Sequence, residues 1–283
     1  FYLNFLSYPA LLWILLFYSK EKILSFNIGW TFGFGYFISS LYWIINSLTF
    51  EEIFKPLIPV ALFLIPSFLA LFYGLATFIL ALFKIDKNYS SILLFALVLS
   101  IIEFFRGIIL GGFPWNLIAY SWTSYTDYLQ ILSFIGTYSF NLISTTLFLI
   151  PVIIILKKQL NSKLIVIIFL ILLMGSNFYF GKSIKNEYSN LESIKLDTKI
   201  KIISPNIEMQ RYFQNEDPIL IINELIQLGK SDVEKAIFVF PEGSFPGIFL
   251  EDLYTYKKIF RENFSEKDKI VLGINSIENS NIY

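Results

Sequence analysis

The chain has 283 residues, 55% hydrophobic and 19% aromatic, with 22 basic residues against 22 acidic ones. That apolar content points to a membrane protein, and the balanced charge argues against a nucleic-acid partner. With no histidine and no cysteine, these residues hold no Ser-His-Asp triad, cysteine nucleophile, His/Cys metal site or disulfide.

The chain opens on Phe1 inside an apolar run, and we expect it to be part of a longer protein. Residues 3–19 form a first apolar stretch near the minimum length for a spanning helix. Residues 26–48 form a second, with Gly29, Gly33 and Gly35 spaced for close helix packing. A short loop carries Glu51, Glu52 and Lys55. Residues 57–83 form a third stretch, long enough to tilt or to kink at Pro59 and Pro66. Residues 91–105 are a fourth. At about 22 Å of helix they span only by running on toward Leu110, with Glu103 and Arg106 near one interface and three apart on one helix face. A loop rich in glycine and aromatic residues covers 107–127. Residues 128–156 are a fifth stretch and residues 164–180 a sixth.

Lysines and arginines set the expected orientation. If the first span ends inside, the inner loops hold Lys20, Lys22, Lys84, Lys87, Lys157, Lys158 and Lys163, and the outer ones only Lys55 and Arg106. Everything after Lys182 then lies outside the cytoplasm. The expected organisation is a multi-span transmembrane domain over 1–181, a charged linker over 182–198 and a soluble α/β domain over 199–283.

In that last part, Lys199 to Pro205 alternates like a strand. Asp217 and Pro218 read as an N-cap and first helical residue. The stripe Ile219, Ile222, Leu225, Ile226 follows, and Gly229 closes it. Residues 236–240 read as a buried strand, 251–263 as one helix and 269–274 as another strand, an unfinished β-α-β-α-β unit. The second strand runs into Pro241 and Glu242. Open α/β folds place their chemistry at the carboxyl ends of their strands, and a carboxylate buried there is a stronger base than a solvated one.

Three stretches carry a family resemblance. Glu103-Phe-Phe-Arg-Gly107 runs into Gly112-Phe-Pro-Trp-Asn116 and Ala119-Tyr-Ser121. Ser204-Pro-Asn-Ile207 is followed by Arg211 to Phe213. Phe240-Pro-Glu-Gly-Ser-Phe-Pro246 comes last. In this order, behind several apolar spans, they resemble the apolipoprotein N-acyltransferases, bacterial inner-membrane enzymes with a carbon–nitrogen hydrolase (nitrilase-like) domain. Phe213 and Phe240 stand where that family usually has tryptophan.

The resemblance implies a polytopic helical domain of about six spans followed by part of an αββα nitrilase-like domain on the periplasmic side of the inner membrane. It implies transfer of an acyl chain from a phospholipid to the α-amine of an S-diacylglyceryl-cysteine apolipoprotein, by a ping-pong mechanism using Glu, Lys and Cys. Glu242 takes the place of the general base. The family's lysine and cysteine have no counterpart in these residues, so we expect them to be inactive alone. Arg106, Trp115, Phe213 and Phe245 are the expected substrate contacts, with residues 113–122 guiding lipid. No cofactor and no metal is implied; the implied partners are phospholipid, diacylated apolipoprotein and the bilayer, with no nucleic acid.

Two other classes compete. A transporter or receptor with an extracytoplasmic domain would show ionisable residues in mid-span and internal repeats. A noncatalytic relative would bind lipid or lipoprotein without turnover. Ser244 as nucleophile finds no histidine to activate it and no Ser-x-x-Lys motif.

Overall fold

The computed structural model describes residues 1–18, 21–156, 158–191, 197–206, 217–229, 235–278 and 281–282. They belong to two compact units, Phe1–Leu191 and Glu192–Tyr283.

The first unit is helical: α1 (Asn4–Tyr18), α2 (Lys22–Leu41), α3 (Ile58–Leu82), α4 (Tyr89–Arg106), α5 (Thr126–Leu129), α6 (Leu132–Phe148), α7 (Val152–Ile155) and α8 (Leu160–Ser189). Among the described residues, four helical runs are long and apolar enough to cross a membrane: Lys22–Thr49, Glu52–Leu82, Tyr89–Arg106 and Leu160–Ser189. Two of the six expected stretches fall short of that length. Helix α1 has 15 residues, about 22 Å. The fifth stretch is broken into α5, α6 and α7. Gly136 inside it takes φ 73°, ψ 169°, which a residue with a Cβ strongly disfavours, and Pro151 precedes α7. At the other end of the unit, α8 runs on to Ser189, through the first residues of the expected linker.

Helices α2 and α3 approach closely because α2 is glycine-rich where they meet. A Cβ on Gly33 would lie 2.8 Å from Cβ of Tyr73, and one on Gly29 would run into the Thr77 hydroxyl. Thr77 Oγ1 can therefore donate to the Ser25 carbonyl across the contact, at 2.8 Å. Tyr8, Phe37, Tyr73, Phe95, Phe140 and Phe148 fill the centre of the bundle. Much of the outer surface of α3 and α8 is Leu, Ile and Phe, as lipid contact requires.

The second unit is built on a three-stranded parallel sheet of β1 (Lys199–Ile202), β2 (Ala236–Phe240) and β3 (Lys269–Leu272), with β2 in the middle. Helix α9 (Pro218–Gly229) lies between β1 and β2 in the chain, and α10 (Leu250–Thr255) with α11 (Lys257–Asn263) between β2 and β3. The expected single helix over 251–263 is thus two, interrupted at Tyr256, where the backbone leaves helical geometry (φ −94°, ψ 7°). A two-residue pair, β4 (Ile277–Glu278) with β5 (Asn281–Ile282), follows.

Residues alternate between the faces of a sheet, and here the two faces differ. Ile203, Ala236, Phe238 and Phe240 are buried with Ile221, Ile222, Leu225 and Ile226 of α9. The opposite face carries Ile200 and Ile202 on β1, Ile237 and Val239 on β2, and Val271 on β3, in register. Ile200, Ile202 and Val271 are more than half exposed there.

Candidate functional site

Two carboxylates stand out, one in each unit, in opposite surroundings.

Glu103 lies in the last turns of α4 and is 0% exposed. Its Oε1 accepts from the Tyr73 hydroxyl at 3.0 Å, and its Oε2 accepts from Asn141 Nδ2 of α6. Tyr73 is in turn 3.1 Å from the Tyr8 hydroxyl of α1. The charge is faced by Arg106, one helical turn on, whose Nη2 is 4.0 Å from Oε1. One carboxylate therefore links α1, α3, α4 and α6 through side-chain hydrogen bonds. An ion this far from water needs such partners, since uncompensated burial is costly.

Arg106 is 1% exposed and turns its guanidinium onto the loop that follows. Nη1 donates to the Phe113 carbonyl at 2.6 Å and to the Trp115 carbonyl at 2.8 Å. The loop is held elsewhere through its main chain too. Tyr36 donates to the Asn116 carbonyl at 2.8 Å, and Ala119 N–H donates to Asn141 Oδ1 at 2.9 Å. Gly112 (φ 80°) and Asn116 (φ 58°) take left-handed conformations that favour these two residue types. At Gly112 a Cβ would also collide with the Gly107 carbonyl.

This clamping leaves part of the loop outward, while Leu117 and Ile118 are buried. Trp115 is 46% exposed and stacks on Trp43, with ring centroids 5.1 Å apart. Trp122, expected in the same lipid-guiding run, is buried instead, packed on Phe1, Phe140 and Phe148. Arg106 also lines an apolar groove of about 540 Å³ with Ile44, Leu64, Phe68, Phe72 and Phe113. Its Nε and Nη2 have no hydrogen-bond partner among the described residues. Both atoms are buried, and Nη2 is the one that faces Glu103.

Glu242 is the opposite case. Strand β2 ends at Phe240, and Pro241, which has no N–H for a ladder, stops it. Gly243 at φ 74° turns the chain, and the Ser244 hydroxyl closes the turn on the Pro241 carbonyl at 2.7 Å. Ser244 is thus spent on the turn. Glu242 is left exposed at the carboxyl end of the central parallel strand. The expectation that it is buried is corrected: among the described residues, a sheet of three short strands, with β3 ending at Leu272, leaves the Glu242 side chain exposed. Beside it, after β3, comes Gly273. A Cβ there would lie 3.0 Å from Glu242 Cα, so glycine is what admits this approach.

Of the other expected contacts, Phe245 is buried against Phe240, centroids 6.0 Å apart. It lines a small cavity of about 100 Å³ with Pro246, Gly247, Gly273 and Asn275. Phe213, with Arg211 before it, lies outside the described residues. Arg106 and Trp115 come together around one loop; Glu242 and Phe245 share another. Tyr8, Tyr73 and Asn141 were not singled out in the sequence. Their signal was there, as hydrogen-bonding residues inside apolar runs.

Residues 1–150 match the family described as apolipoprotein N-acyltransferase N-terminal domain. Among curated proteins, one from Agrobacterium fabrum is 29% identical over 234 residues, covering 81% of this chain and 43% of the relative. One from Brucella melitensis is 28% identical over 259 residues, covering 87% and 48%. One from Sinorhizobium medicae is 36% identical over 128 residues, covering 45% and 24%. All three carry the name apolipoprotein N-acyltransferase. The chain spans about half the length, or less, of the curated relatives it matches.

Proposed function

The chain belongs to the apolipoprotein N-acyltransferase family, and on that premise we propose that the whole protein moves a fatty acyl chain from a phospholipid to the N-terminal α-amine of diacylated apolipoproteins. Family membership and four long apolar helices make it a bacterial membrane protein. The finer reading sets it in the inner membrane, with α1 and the broken α5–α7 run completing six spans over 1–181 and the linker over 182–198. Residues 199–283 then begin a periplasmic nitrilase-like domain.

The uncovered apolar face of the sheet supports the αββα reading. Parallel sheets are covered on both faces, and a second layer over Ile200, Ile202, Ile237, Val239 and Val271 would complete a sandwich.

The observation that carries the catalytic assignment is the position of Glu242, solvent-facing at the carboxyl end of the central strand. As general base it takes a proton from a cysteine thiol, whose sulfur attacks the phospholipid ester carbon. The glycerol oxygen leaves with a proton, and a thioester remains. The α-amine of the apolipoprotein then attacks the thioester carbon, loses a proton to the base and releases the thiol. A lysine completes the set. The cysteine is not among these 283 residues, so they are expected to be inactive by themselves. In the membrane unit, Arg106, Trp115 and the apolar groove they adjoin are read as substrate contacts, and Phe213 and Phe245 keep the same expected role in the second unit.

The test is triacylation of a diacylated lipopeptide in phospholipid vesicles by the whole protein. Glu242→Gln should lower kcat by about a hundredfold to ten-thousandfold, without loss of folded protein. Wild-type turnover by that variant would remove Glu242 from the mechanism. A noncatalytic relative would bind the lipopeptide and leave it diacylated.

A further inference from the structure

We infer that Glu103 and Asn141 are positioning residues for the loop that presents Phe113 and Trp115. The deduction follows donors and acceptors along the chain of contacts. The Ala119 N–H can only donate, so Asn141 must offer it Oδ1, at 2.9 Å. That commits Asn141 Nδ2 to Glu103 Oε2. A carboxylate only accepts, so the orientation of the Asn141 amide is dictated by the residue at 103. The other oxygen of Glu103 takes the Tyr73 proton at 3.0 Å, which leaves the Tyr73 oxygen to accept from Tyr8 at 3.1 Å. Each contact in the sequence Tyr8, Tyr73, Glu103, Asn141, Ala119 then has one direction.

Glu103 reaches the loop by two routes. Through Asn141 it fixes residue 119. Through its charge it holds Arg106, 4.0 Å away, whose guanidinium binds the carbonyls of residues 113 and 115. Both ends of the segment from Phe113 to Ala119 are therefore set by one buried carboxylate that touches none of the loop's side chains. Neither Glu103 nor Asn141 lines the groove beside Arg106, so both act through other residues.

A polarity swap tests this. Glu103→Gln alone can accept from Asn141 only by turning its NH2 onto the Tyr73 oxygen, which reverses the Tyr73–Tyr8 bond, and it leaves Arg106 without its counter-charge. Asn141→Asp alone sets two carboxylates against each other. Together, Glu103→Gln and Asn141→Asp restore the pattern in reverse: the Gln amide donates to Asp, Asp accepts the Ala119 N–H, and net charge beside Arg106 is unchanged. In the whole protein in lipid nanodiscs, hydrogen exchange of the Ala119 amide should speed up by about tenfold in either single variant and return to within about twofold of wild type in the double. The apparent KM for phospholipid should follow the same pattern, with kcat changing less. Only this kinetic arm rests on the acyltransferase reading; if the wild type transfers no acyl chain, exchange alone decides. Unchanged exchange in the singles, or a double variant no better than the singles, overturns the inference. If a single variant does not fold, the double must; its failure to fold overturns the inference too.

Discussion

Glu103 and Glu242 are the same residue type in two different settings. The first is withdrawn from water, with both oxygens accepting hydrogen bonds and an arginine beside it. The second stands at the end of a strand with its carboxylate turned to solvent. The difference separates two uses of a charge. A carboxylate whose two oxygens each accept from a buried side chain fixes its neighbours. A carboxylate held by its backbone alone is available to a substrate. Buried partners mark the structural glutamate, and exposure the one proposed for chemistry.

The strongest way to break this comparison is to remove each side chain. Glu103→Ala leaves Arg106 buried and unpaired, and should cost about 3–5 kcal/mol, read as a large fall in the thermal midpoint in detergent. Glu242→Ala should change stability by no more than about 0.5 kcal/mol while abolishing acyl transfer. A destabilising Glu242→Ala, or a neutral Glu103→Ala, would reverse the assignments.

A smaller perturbation sharpens the same contrast from the backbone side. Gly273→Ala brings a methyl to 3.0 Å from Glu242 Cα, and should cost about 1 kcal/mol with roughly a tenfold loss of turnover. Gly35→Ala meets nothing within 4 Å and should leave both within error. Equal effects from the two glycines would show that the turn around Glu242 yields easily.

The smallest effect concerns a third carboxylate, intermediate between the two. Burial alone would raise the Asp268 carboxyl, but the backbone N–H groups of Ser265 and Ala236 outweigh it and hold the group below its usual 3.8. The fold thus favours the ionised form. Its contribution is present above about pH 4 and lost as pH falls through the lowered value. Asp268→Asn should therefore melt earlier than wild type near neutrality, and the gap should close in acid. A gap independent of pH would assign the effect to packing.

Local structure was legible where one residue type carries a local instruction. Pro218 and Gly229 bound α9 as their backbones dictate, and the apolar runs of β2 and α4 lie within a few residues of expectation. Breaks were less legible. Gly136 looks like any membrane glycine, and its φ of 73° is set by packing. The loop clamp was not legible at all, because its acceptors are carbonyls common to every residue. Arg106 reads as a surface or substrate cation until Phe113 and Trp115 are seen to fold back over it. Asn141 meets Glu103 across 38 positions, and no periodicity encodes such a partner. Glu242 was expected at a strand end, where it is, and in the interior, where it is not, since exposure depends on what neighbouring loops cover.

The clamp on residues 113–119 grips mainly carbonyls and an amide, and it also holds the Asn116 side chain, whose Nδ2 donates to Ser40 Oγ at 2.6 Å. Gly111, Gly112 and Asn116 are bound to their identities by backbone angle. Phe113 packs against the bundle core, whereas Trp115 is nearly half exposed, so position 115 can vary with the smaller disturbance to the loop's path. A lineage bearing this scaffold can therefore change the exposed surface at position 115 while the buried carboxylate beneath stays as it is.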